Sequence, residues 1–149
     1  MTSPSTVSAA LTYFLGEYNC AQSVVKSVLE HKGLYFDGAT QLAAGFGGGI
    51  CFSGQQCGAV SGAVIVIGLL TGKTVADTRE HKAITCRLVE EFSARFTEEF
   101  GTIICDDLTG VEMSDEEAFT KALEKGHFRE VCPKFVDTTV RMLLEMFPD

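Results

Sequence analysis

Apolar residues recur along this chain at helical spacing almost from end to end. Val7, Ala10, Leu11, Phe14 and Leu15 share one face at about 100° per residue, and Gly16 ends that run. Asn19, a good N-cap residue, opens a second helix whose apolar face is Val24, Val25, Val28 and Leu29 and whose stop is Gly33. Asp37 is expected to cap a short helix through Ala44. Gly45-Phe46-Gly47-Gly48-Gly49 cannot sustain a helix, so a loop is expected to follow through Cys51, Ser53 and Gly54. A buried central helix is predicted from about Gln56 to Leu70, ending at Gly72. Asp77 opens the longest helix, which ends before Gly101; Ile84, Leu88, Phe92 and Phe96 are its expected buried stripe, with Val89 and Phe100 at the margin. Residues 101–110 read as a loop, with a possible extended piece from Gly101 to Cys105. Ser114-x-x-Glu117 has the form of a capping box, for a helix that uses Ala118, Phe119, Ala122 and Leu123 and stops at Gly126. A last helix is expected near Cys132-Pro133, proline being favoured at the first helical position, with Phe135, Val136, Val140, Leu143 and Met146 inward.

No stretch alternates with the period of two that marks a strand, and no repeat or linker interrupts the chain. The expectation is an all-α fold: one compact domain over residues 1–149, a bundle of five or six helices with a Gly-rich loop. A chain of 149 residues with 46% hydrophobic composition can bury one core, and with no Trp that core must rest on its 11 Phe and on Leu, Val and Ile. The most apolar run, Ala59 to Leu70, falls short of the roughly 18–20 residues a bilayer span requires, which argues against direct membrane insertion. Met1 to Thr6 shows neither a basic nor an apolar signal region, so a cytoplasmic location is expected. A net charge of −8 without a Lys/Arg cluster argues against nucleic acid and against an anionic membrane surface as partners.

Six cysteines without a secretion signal point to metal or redox chemistry rather than to a disulfide framework. Four of them, Cys20, Cys57, Cys105 and Cys132, sit at or beside a predicted helix start or a turn; Cys20 and Cys57 are expected in first turns, and Cys132 precedes Pro133. Unpaired N–H groups and the partial positive charge of a helix start favour thiolate over thiol. Such thiolates can hold an iron–sulfur cluster or zinc, or can cycle between dithiol and disulfide. No Cys-x-x-Cys pair narrows the choice. Gly58 and Gly62, four apart beside Ala59 and Ala63, make a smooth strip that another helix or a bulky cofactor can approach closely. Of the remaining polar residues, His31, His81 and His127 are expected to be solvated. So are Asp106-Asp107, although they stand close enough to Cys105 to tune its thiol. Gly47-Gly48-Gly49 lacks the Lys-Ser/Thr that completes a P-loop, and Ser61 has no histidine-centred setting for nucleophilic catalysis.

Asn19-Cys20-Ala21-Gln22, the glycine run, Cys57-Gly58-Ala59-Val60-Ser61-Gly62, and then Cys105 and Cys132 form an ordered set. Over roughly residues 19 to 147 it resembles the mainly prokaryotic family named for its C_GCAxxG_C_C cysteine pattern, a family regarded as redox-active. The resemblance implies that Cys20, Cys57, Cys105 and Cys132 are the site: metal ligands, or redox thiols if no metal binds. Cys51 and Cys86 depart from the pattern and are open to being core residues, resolving thiols or extra ligands. Three functions are consistent with this set. The first is a small redox protein whose converging cysteines bind an iron–sulfur cluster for electron transfer. The second is a metal-free thiol–disulfide oxidoreductase, and the third a non-enzymatic module stabilised by zinc. Whether the chain is an enzyme or an electron carrier stays open. The expected partner is a redox protein or a small-molecule thiol, with a homodimer as a further possibility. All three functions require the four distant sulfurs to become neighbours.

Overall fold

The computed structural model describes residues 4–149, and the regular elements among them are helical. In chain order they are α1 (Pro4–Leu15), α2 (Cys20–His31), α3 (Gly38–Ala43), α4 (Gly58–Gly72), α5 (Thr78–Phe100), α6 (Cys105–Thr109), α7 (Glu116–Glu124), α8 (His127–Val131) and α9 (Pro133–Met146). Six of these have nine residues or more, matching the expected all-α bundle; α3, α6 and α8 have only five or six. The one β-type pairing among the described residues is an isolated antiparallel bridge between Gln56 and Ile104.

Local signals set most of the helix ends. The Asn19 side chain accepts from Gln22 N at 2.9 Å while Gln22 Oε1 accepts from Asn19 N at 3.0 Å, a full capping box at the start of α2. Asp77 caps α5 by accepting from Glu80 N at 2.9 Å. The cap of α7 lies one residue later than Ser114: Asp115 accepts from Ala118 N at 3.1 Å, because a carboxylate is there to satisfy the same orphan donor. Helix α4 begins at Gly58 rather than Gln56, since Gln56 is engaged in the bridge to Ile104. Residues 101–110 are not a continuous loop, because Cys105 to Thr109 wind into α6. A turn of five residues is too short to display a helical period.

Helix α4 is the axis of the bundle, with Gly58 to Ala63, Val66, Ile67, Leu70 and Thr71 buried. It packs against α2, α5 and α9, while α1 closes over α2 and α9. A Cβ on Gly62 would lie 2.9 Å from Ala21 O and 3.1 Å from Val24 Cβ, so the α2 and α4 backbones meet there. From α5 only Phe92 and Phe96 are fully buried; Ile84 and Leu88 stay half-exposed because that helix packs chiefly on α4. Phe96, Phe100 and Phe135 form a ring cluster with centroids 4.8–6.2 Å apart. Each such pair adds about 0.5–1.5 kcal/mol beyond burial. The three histidines are half-buried and bonded to the protein rather than freely solvated. His31 bridges Thr6 Oγ1 and the Asp149 carboxylate, His81 Nε2 meets Gly68 O at 2.7 Å, and His127 Nε2 meets Thr109 O at 2.6 Å. No helix is long and apolar enough to cross a membrane among the described residues.

Candidate functional site

The segment between α3 and α4 has the least regular backbone of the chain. After a 3-10 turn at Ala44–Phe46, five consecutive residues adopt positive φ: Gly48 (66°), Gly49 (68°), Ile50 (69°), Cys51 (45°) and Phe52 (60°). The left-handed region costs an ordinary L-residue roughly 1–2 kcal/mol, and Ile50 is β-branched as well. The turn is held by Cys51 N donating to Gly45 O (2.9 Å), Gly54 N to Gly48 O (3.1 Å) and Gln55 N to Gly49 O (3.0 Å). Ser53 Oγ adds bonds to Gly49 O at 2.8 Å and Ile50 O at 2.6 Å. Glycine is required at 49 because a Cβ there would stand 2.5 Å from Gln55 N and 2.8 Å from Cys105 Cβ.

That close approach is how the cysteines meet. Cys57 N donates to Ile103 O at 2.8 Å and Cys105 N to Gln55 O at 2.6 Å, so the two cysteine segments run side by side across the Gln56–Ile104 bridge. Cys20, the first residue of α2, reaches the same place because Gly58, the first residue of α4, has no side chain to exclude its sulfur. Cys132 is the N-cap of α9, and the bond from His127 to Thr109 O ties its segment to α6. Each of the four cysteines therefore starts or precedes a helix. Cys57 occupies the N-cap rather than the first turn of α4, and Cys105 opens α6.

Cys20, Cys57, Cys105 and Cys132 all line one cavity of about 450 Å³. Gly48 and Gly58 complete the thiol side; Gly62 lies one turn further along α4, against Ala21, outside the lining. Apart from Asn19 and Thr109, the rest of the wall is apolar: Phe14, Phe52, Leu108, Met113, Phe119, Leu123, Phe128 and Phe135. Sequence periodicity assigns Phe119 and Leu123 to a core face; in the fold Ala122 takes that role, and its two neighbours turn to the cavity. Nothing local in the sequence marks Phe52 or Phe128 for it. Cys51 and Cys86 are exposed and do not line the cavity, so neither is a core residue.

Burial dominates the electrostatics of the four thiols. It pushes Cys20 up, against the opposing pull of the backbone N–H groups of Gly48, Ala21, Cys20 and Gly58. Cys57 is pushed up strongly by burial and by the charge that Cys20 would carry, with the N–H groups of Val60 and Ala59 opposing. Cys105 and Cys132 are each pushed up to about 12, first by burial and then by Cys20. Asp106 adds to the effect on Cys105 and is not merely solvated: its Oδ1 accepts from Met113 N at 3.0 Å and its carboxylate packs on Gly54. At Cys20 and Cys57 these N–H groups thus offset burial without overcoming it, whereas at Cys132 only the Lys134 charge opposes it. Among the described residues, no three His, Cys, Asp or Glu side chains are gathered so as to hold one metal ion. The thiols surround a volume; they do not converge on a point.

No curated protein and no solved structure matches the chain. The model of the family described as "Putative redox-active protein (C_GCAxxG_C_C)" matches residues 18–146, a span that takes in all four cavity cysteines and the loop that joins them. The chain belongs to that C_GCAxxG_C_C family.

Proposed function

We propose that this protein is a small redox carrier whose Cys20, Cys57, Cys105 and Cys132 hold an iron–sulfur cluster. The observation that carries the reading is that four thiols, delivered by four separate helix starts, share the wall of one cavity. Four cysteine thiolates are the common ligand set of such clusters, and a centre of several atoms suits donors that stand around a volume. When bound, the cluster would supply reversible one-electron transfer. The chain's own part is to deliver the sulfurs, to aim the N–H groups of Gly48, Ala21 and Gly58 at Cys20 and those of Ala59 and Val60 at Cys57, and to keep the surroundings apolar. The raised thiol pKa values fit this reading, because thiols held neutral need a positive centre to ionise them, and binding then releases protons.

The same values weigh against metal-free thiol exchange, which needs an accessible thiolate near neutral pH. Electrons would pass to a redox protein or to a small-molecule thiol. Protein purified without oxygen is expected to be brown and to contain iron and acid-labile sulfide, and Cys→Ser at any of the four positions is expected to lower both. A colourless, iron-free preparation that resists reconstitution would remove the cluster. Stoichiometric zinc, or a disulfide formed under mild oxidant, would put one of the other two readings in its place.

A further inference from the structure

The cavity has a second half that sulfur ligation leaves unexplained. Of its sixteen lining residues, four are the cysteines and eight are large apolar side chains, five of them phenylalanine. None of the lining residues carries a charge. The two polar side chains among them are already engaged. Asn19 accepts from Gln22 N and donates to Ala44 O, while Thr109 Oγ1 donates to Cys105 O at 2.9 Å. At about 450 Å³ the space lies within the range of small-molecule sites, which are mostly apolar with few polar groups.

The apolar half is also open. Phe52 is 52% exposed and Leu123 is 59% exposed, although both line the cavity, so they stand at its mouth. Phe52 reaches that position only through the left-handed turn at residues 48–52, and its ring meets Phe119 at 5.1 Å, which meets Phe128 at 5.7 Å. Strain of this kind, used to present an apolar ring to solvent beside reactive groups, is characteristic of ligand sites. We propose that the aromatic half of the cavity binds a small, uncharged, apolar organic molecule, held between Phe52, Phe119, Leu123 and Phe128 against the thiol wall. An anionic ligand would find no counter-charge in the lining and would be desolvated without compensation. The proposal extends the reading of the cysteines as a redox centre, beside which the molecule would lie.

The test uses the full chain, purified without oxygen, and the fluorescent probe N-phenylnaphthylamine, which is neutral and apolar; anilinonaphthalene sulfonate, similar in shape but anionic, is the control. The neutral probe is expected to bind with a Kd of about 10 µM or tighter, at least about tenfold tighter than the anion. Leu123→Glu, at an exposed position outside the core, and Phe119→Ala are each expected to weaken it about tenfold while the helical circular dichroism stays unchanged. No binding by the parent protein, equal binding of the two probes, or parent-like binding by either variant would overturn the site. Iron and sulfide are assayed on the same samples. Probe binding without iron keeps this site and removes the cluster, whereas iron without probe binding keeps the cluster and removes this site.

Discussion

Cys20 Sγ occupies the space that a Cβ on Gly58 would need. This one relationship joins the start of α2 to the start of α4, and through it Cys20 to Cys57. Gly62, one turn on, repeats the close approach against Ala21 O. The α2–α4 pair is therefore packed around a sulfur at its open end, and the cavity begins where that packing stops.

Gly58→Ala should separate these helix starts. The new methyl would overlap Cys20 Sγ and come within 2.9 Å of Phe46 O, which is backbone and cannot swing aside. Overpacking of this kind costs about 1–3 kcal/mol. Gly68→Ala, in the same helix, is the control: its nearest neighbour is Thr85 Cγ2 at 3.9 Å, so the usual gain of about 0.5–1 kcal/mol for alanine over glycine should appear. Urea unfolding is expected to shift in opposite directions for the two variants, and iron content should fall only in Gly58→Ala. Equal shifts would mean that Cys20 is not pinned by this contact.

The raised thiols make the metal-free protein sensitive to alkali. Below the ordinary thiol pKa of about 8.5 the cysteines are protonated in both the folded and the unfolded chain, so they leave stability unchanged. Above it the unfolded chain releases protons that the folded chain retains, and stability falls with rising pH. The window runs from about 8.5 to about 12, where Cys105 and Cys132 ionise in the folded state. Urea midpoints of chelator-treated protein are expected to stay level from neutral pH to about 8.5, then to drop through this window, and to drop less in Cys132→Ser. A flat profile would show that the thiols are not buried as described.

Much of the fold is legible in local sequence, and most of the site is not. Asn19 with Gln22, Asp77, and Pro133 after Cys132 mark helix starts through bonds or torsions that span at most three residues, and the structure has helix starts at all three. Helices α6 and α8, of five residues each, leave no periodic trace. The bond from His127 to Thr109 O joins residues 18 apart, and no composition rule separates such a histidine from a solvated one. The left-handed run through Ile50, Cys51 and Phe52 opposes the intrinsic preference of those residues, so only the assembled loop can impose it. The four cysteines were legible as a set through their order along the chain; their sharing of one cavity rests on the bridge at Gln56–Ile104 and on the missing side chain of Gly58.

Accessibility divides the six thiols into two classes. Cys51 and Cys86 are exposed, whereas Cys57 and Cys105 are buried and Cys20 and Cys132 partly so. Alkylation of the metal-free protein by iodoacetamide near pH 8 should therefore modify Cys51 and Cys86 first, and mass spectrometry of the native protein should show a plateau at these two before the cavity cysteines react. Burial holds Cys105 and Cys132 protonated there, which slows them further, since the thiolate is the nucleophile. Early modification of Cys20 or Cys132 would mean that the cavity is more open to solvent than its lining implies.

Cys51 offers the sharpest separation of backbone strain from thiol chemistry. It is exposed, its φ is 45°, and it sits in the middle of the left-handed turn that places Phe52 at the cavity mouth. If its side chain has no part in the site, Cys51→Gly relieves the left-handed cost, about 1 kcal/mol, and removes little burial in return. The variant is expected to resist urea better than the parent while keeping the same iron content and the same affinity for the neutral probe. Cys51→Val, which is β-branched and ill-suited to positive φ, should shift stability the other way. Loss of iron in Cys51→Gly would instead make this thiol a ligand, and the separation between four site cysteines and two bystanders would fail at that residue.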